Sequence, residues 1–550
     1  TAEDIQKGLS FAMKGTGLQQ IVVPSQCTVT APGTWNFLDY VVTVILSVLI
    51  LIMVVASTYD YRLGRTKTTK EDTLEIKSGK AAVKHSTRIE ILLSFSVYTN
   101  IKKIFSTHAV EERLACVNGV RAITMLWILF CHGFTTIDGP YLSNPKAILE
   151  FFAKFYAQVF GNPSVSVDTF FLLSGTFLSY AILNQLTNLK KSRGEVSSLM
   201  LLKLFFVAMI NRLIRIWSVL GVIVLWYLSF YYRIASGPFW KSVNMESFVK
   251  PCQDNWWKTI LFVQNYIDAD KMCVPHSWYL SVDMHCYIVF CLLLFIFYNN
   301  RFVVFVVLGL WIAFQIMIIS VITSVYSCPP TAILNMYMLK FPNFMWEYYP
   351  KTHLRTSPYA VGVALGWILF ETRQKKIVIP KIGVIFGWLM SLAGCFGLLY
   401  GLYPLFHDIN LPPNKMQLIL YGSVHRTVWA VCVAWIIFAC ACGYGGIINT
   451  ILSSRMFFPI SKLSFAMYMV GMTLQTIVAS SMKTPRHWDF YSELIYFFSG
   501  NFILGMLVSL FISLAFESPI LRIQKLLLTP RPSTQTKENE AKTPQNITRF

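Results

Sequence analysis

Eleven apolar runs dominate the chain, most of them near the roughly 20 residues that a helix needs to cross a bilayer. They lie at 38–57, 117–134, 165–186, 214–232, 278–298, 302–325, 358–370, 382–403, 424–444, 463–482 and 491–515. Backbone polar groups in hydrocarbon must be satisfied within their own segment, so runs of this kind fold as helices. The expected class is an all-α polytopic membrane protein with about eleven transmembrane helices. The 358–370 run is short and fits a tilted or broken helix.

Composition agrees. Only 13% of the 550 residues are charged and 55% are hydrophobic, whereas a soluble domain carries about 25% charged residues. The net charge of +20 would suggest nucleic acid in a soluble protein. Here the basic residues crowd into loops, so no nucleic-acid partner is expected. Residues 59–113 hold Arg62, Arg65, Lys67, Lys70, Lys77, Lys80, Lys84, Lys102 and Lys103, and basic groups recur at 190–193, at 373–381 and from Arg522 onward. Alternation of the spans puts all four segments on one face, which the positive-inside rule makes cytosolic. The N-terminus is then extracytosolic and the C-terminus cytosolic, in the plasma membrane or the endoplasmic reticulum.

Of twelve cysteines, Cys27, Cys252, Cys273 and Cys328 fall clearly in loops, all on the opposite face. Disulfides form in that environment, and four cysteines allow three pairings. The chain begins at Thr1 rather than Met, so an upstream segment is expected. Residues 517–550 read as a disordered cytosolic tail, where the sequon at Asn546 would go unused.

Ionisable side chains within spans are costly and mark candidate sites. Arg121 and His132 share one helix: eleven residues at about 100° each end roughly 20° past three full turns, so both lie on one face about 16 Å apart. A neutral imidazole suits a general base; the alternative is a packing histidine. Asp168 enters the next span from the outer side, near the depth of His132, and could orient that imidazole or serve as a helix N-cap. Arg212 and Arg215 are three residues apart at the expected cytosolic edge of a span, where they could clamp phosphates or anchor the helix. His276, Tyr279, Asp283 and Tyr287 form a polar stripe at three- and four-residue steps, either lining a site or forming a structural hydrogen-bond network. Arg355, and His425 with Arg426, are weaker signals that could bind an anionic group or anchor a helix end. There is no P-loop, no GxSxG elbow and no zinc-spaced Cys/His cluster, so no metal is expected.

Taken together, the strings NGVRAITMLWILFCHG, VDTFFLLSG, NRLIRIW, PHSWYLSVDMHCY and RTSPYAVGVALG, with the region from Trp435, resemble the membrane acyltransferase-3 superfamily, and its animal branch, the nose resistant to fluoxetine family. The resemblance implies a ten-helix core at 114–516, with 38–57 as an added first helix. It further implies a basic cytosolic linker at 58–113, with 1–37 closing an extracytosolic Cys-containing domain. It maps the Arg-x10-His pattern of the catalytic helix onto Arg121 and His132, and the donor-associated arginine pair onto Arg212 and Arg215. Many superfamily members carry a late histidine where this chain has Gly471.

The expected activity is O-acyl transfer from cytosolic acyl-CoA, a co-substrate rather than a bound cofactor, to a hydroxyl acceptor of unknown identity. Membrane lipids are the other expected partners. His132 would be the base, oriented by Asp168, with Arg121 stabilising charge on the donor. Ser174, His276, Trp278, Tyr279 and Asp283 would support the site, Ser174 as a conceivable transient acyl carrier. The rival reading is a transporter of lipids or hydrophobic small molecules that performs no chemistry.

Overall fold

The computed structural model describes residues 35–71, 86–108, 111–135, 142–194, 196–238, 240, 244–332, 336–375 and 377–528. Among them there is no strand, only an isolated bridge between Leu142 and Arg486. Each predicted span is occupied by a helix. We number these α1 Phe37–Glu71, α2 Cys116–Thr135, α3 Ser164–Arg193, α4 Ser198–Leu228, α5 Trp278–Phe297, α6 Arg301–Tyr326, α7 Ser357–Thr372, α8 Lys381–Tyr400, α9 Lys415–Ala441 and α10 Phe457–Ser480. The last, α11, is a helical run over Phe490–Leu527.

Nine of the helices formed by the described residues are long and apolar enough to cross a membrane. The two predicted spans outside that set are α4, which carries Lys203, Arg212 and Arg215, and α7, which has only 16 residues. Helix α7 compensates for its length by burial. Gly362 and Gly366 lie one turn apart on it, and a Cβ at either would stand 2.1 or 2.2 Å from the carbonyl oxygen of Leu172 or Thr176 on α3. The two backbones therefore touch, as small-residue stripes permit between membrane helices. Around this crossing, α2, α3, α4, α5, α7 and α10 share one core that includes Met125, Phe171, Leu220, Phe290, Tyr359 and Met467.

Helix α1 stands at the edge of the bundle, with Val44, Val48, Leu51 and Val55 exposed, as a lipid-facing surface requires. It is fixed at both ends by polar contacts. Near its start, Arg233 donates to the buried Asp39 at 3.1 Å. Further along, Asp60 accepts from Ser96 and Thr99 at 2.6 and 2.5 Å.

Three expectations need correction. Helix α4 begins at Ser198 rather than near residue 214, so Arg212 sits fourteen residues into it, about 21 Å along its axis, instead of preceding it. The apolar stretch before it continues the helix. The tail expected from residue 517 begins as ordered helix, because α11 runs on to Leu527. Of the four loop cysteines, Cys252 and Cys273 are joined, whereas Cys328 is a free thiol. Cys27 and Asn546 lie outside the described residues, as do residues 1–34 and 529–550.

Candidate active site

The principal cavity, of about 490 Å³, opens near His108, Glu111 and Lys462 on the face that bears the basic loops. Arg121, Arg212 and Arg215 all line it, together with Ser174, Tyr279, Asp283 and Tyr468. Its volume is in the range of small-ligand sites. Three guanidiniums face two lining carboxylates, of which Glu111 lies at the mouth and accepts from Tyr180 at 2.8 Å. The interior therefore favours an anion.

The three arginines are held differently. Arg212 forms an ion pair with Asp283 on α5 and donates to Ser174 Oγ at 2.8 Å. Ser174 in turn donates to Asp283 Oδ1 at 2.6 Å. This closed triangle ties α3, α4 and α5 together and consumes most of the charge that Arg212 could offer a ligand. Arg215 lies close enough to Glu517 on α11 to feel its charge. Arg121 lies over the Phe177 ring, 4.7 Å from its centroid, and no described carboxylate pairs with it. Of the three, Arg121 has the most charge left for a ligand.

The cavity ends against two tyrosines. The rings of Tyr279 and Tyr468 lie 5.4 Å apart, and both line it. Ile128 also lines it, and His132 follows one turn later on α2 without reaching the wall. The His132 ring lies 6.4 Å from that of Tyr468 and stays partly accessible. The Tyr468 hydroxyl donates to the carbonyl of His276 at 2.6 Å. His276 Nε2 is 2.9 Å from the Met469 carbonyl, so that nitrogen carries the proton and Nδ1 has the lone pair. Gly471 faces α2, where a Cβ would meet Leu129 Cδ1 at 2.8 Å. A side chain in its place would therefore point at the turn below His132. One turn on, Gln475 donates to the Leu129 carbonyl at 2.7 Å.

Asp168 does not join His132. Its Oδ1 pairs with Arg355 at 3.4 Å, with both side chains fully buried, and Oδ2 has no hydrogen-bond partner. Arg355 is stacked against Trp278 and Tyr349, 4.7 and 4.1 Å from their centroids, and donates from Nε to the Tyr349 carbonyl at 2.6 Å. Arg426, also buried, donates to the Leu354 carbonyl at 2.8 Å. Asp168 and Trp278 thus belong to a structural cluster around Arg355. The sequence had marked Arg355 and Arg426 as anion-binding or anchoring groups without their partners, and it gave no sign of Tyr468, since a tyrosine among apolar residues has the look of ordinary core.

Among the described residues, no three His, Cys, Asp or Glu side chains gather to hold a metal. A family model described as an acyltransferase domain, acyltransferase-3, matches residues 114–518. Nose resistant to fluoxetine protein 6 of Caenorhabditis elegans is 27% identical over 469 residues, covering 80% of this chain and 55% of that protein. The chain thus spans little more than half the length of this relative. No solved structure matches it. With its apolar helices and a match covering most of its length, this multi-pass membrane protein belongs to the acyltransferase-3 family.

Proposed function

We propose that the protein is a membrane O-acyltransferase that takes its acyl group from acyl-CoA. The observation that carries this reading is the convergence of Arg121, Arg212 and Arg215 on one cavity that Tyr468 also lines, with the His132 ring 6.4 Å from that tyrosine. The basic face is taken as cytosolic, so the mouth of the cavity is where a cytosolic, multiply charged thioester would arrive. Arg121 and Arg215 would draw in its phosphate-bearing arm. The Arg212–Asp283–Ser174 triangle would keep the wall rigid behind it, and it makes Ser174 a positioning group rather than an acyl carrier.

An acceptor hydroxyl would approach His132 from the opposite side of the tyrosine pair. His132 would take the hydroxyl proton as the oxygen attacks the thioester carbonyl. The tetrahedral centre would then collapse, breaking the C–S bond, and the departing CoA thiolate would take up the proton held by His132, which returns the imidazole to its neutral form. The wall at Tyr468 requires that this ring yield when donor and acceptor meet. His276 presents a lone pair nearby and would help retain the acceptor.

Binding of a non-hydrolysable thioether analogue of acyl-CoA tests this reading. Loss of Arg121, a charge-assisted donor worth about 1.5–3 kcal/mol, should weaken binding tenfold or more in Arg121→Gln. Equal binding by the wild type and the variant, or none by either, would overturn the assignment. Movement of an acceptor across liposomes without acyl-CoA would favour the transporter reading instead.

A further inference from the structure

A second cavity, of about 360 Å³, lies on the basic face beside the first. Among the described residues its lining includes Arg113, Arg373, Lys375 and Cys442, and no carboxylate. The short segment at 111–114 serves both cavities: Glu111 and Leu114 line the first, and Arg113, between them in sequence, lines the second. Arg113 donates from Nη2 to the Leu369 carbonyl at 2.9 Å, near the end of α7, but its buried Nε has no partner. Arg373 lies over the Phe370 ring at 4.0 Å and donates to Asn184, a neutral partner. The nearest acid in sequence, Glu371, is outside the lining and bonded to Arg301 and Trp367.

Helix capping alone does not account for this group. The cavity sits at the C-terminal ends of α7 and α9, each equivalent to about half a negative charge. Three cations exceed that by about two charges. We propose that Arg113, Arg373 and Lys375 form an organic-phosphate site adjoining the mouth of the principal cavity. A phosphate ester there would accept from the guanidiniums of Arg113 and Arg373 and from Lys375, whose exposed ammonium can swing over it. Two ligands have this chemistry: the nucleotide end of the acyl donor and the headgroup of a polyphosphorylated lipid. The common 111–114 segment favours the nucleotide, an assignment that rests on the acyl-transfer reading; the site itself does not.

The test uses the whole protein in phosphatidylcholine nanodiscs. One arm titrates adenosine 3′,5′-bisphosphate, which carries no thioester. The other measures recruitment of phosphatidylinositol 4,5-bisphosphate into the lipid around the protein. Lys375→Glu is chosen because Lys375 is exposed, with Arg373→Gln as the second variant. About tenfold weaker binding of either probe in both variants, with unchanged melting, supports the site, and the probe affected identifies its source. Wild-type affinity for both probes in Lys375→Glu overturns it. Because no acyl transfer is read, a failure here leaves the acyltransferase reading standing, and lack of transfer leaves this site standing.

Discussion

The ring of Tyr468 lines the arginine-lined cavity and stands 6.4 Å from the imidazole of His132, which does not line it. Substitution of this ring should therefore change the fate of the donor. Tyr468→Ala opens the wall and admits water beside His132, so thioester hydrolysis should rise relative to transfer. Tyr468→Phe removes only the bond to the His276 carbonyl and should cost about 1 kcal/mol of stability. Partition of labelled acyl groups between free acid and acceptor reads the first effect, and thermal unfolding reads the second.

The Arg212–Asp283 pair should behave as a unit. Asp283 is buried, and Arg212 is partly buried in the cavity wall, with its side chain 24% exposed. Removal of one partner from a buried pair costs about 3–5 kcal/mol, because the other charge is left uncompensated. Arg212→Met or Asp283→Leu alone should lower the unfolding temperature sharply, and the double variant should recover much of the loss. A double-mutant cycle on purified protein measures the coupling. Additive losses would mean that the two side chains act separately.

Asp168 and Arg355 should show a stability effect rather than a rate effect. Arg355→Met should destabilise by about 3–5 kcal/mol, with Asp168→Asn close behind. The Asp168→Asn protein that remains folded should keep near wild-type turnover. A large fall in turnover with unchanged melting would instead restore Asp168 to the role of orienting His132.

The sequence exposed the helices because the solvent does: an apolar run in lipid has few alternatives to a helix. It misplaced the start of α4 for the same reason. Arg212 and Arg215 look too costly to place within a long helix, and the carboxylates that offset them, Asp283 for Arg212 and Glu517 for Arg215, lie far away in sequence. The partner of Asp168 is 187 residues distant and carries no local pattern. His132 and Arg121 were legible because their spacing alone puts them on one helix face. Tyr468 was not, because its importance comes from its nearness to groups on other helices.

On the loop face, reduction of Cys252–Cys273 should cost about 2–4 kcal/mol. Cys328→Ser should leave unfolding unchanged, since that thiol is unbonded. Melting with and without reductant, in the wild type and in Cys328→Ser, checks both statements.

The most direct measurement is a single-turnover assay of purified, lipid-reconstituted protein with labelled acyl-CoA and a hydroxyl-rich lipid extract. General-base catalysis contributes about 10²–10⁴-fold. The wild type should therefore move the label to an acceptor, and His132→Ala should slow that transfer at least about a hundredfold while still binding the thioether analogue. Undiminished transfer in His132→Ala, or an intact thioester in the wild type alongside acceptor flux across the bilayer, would contradict the account.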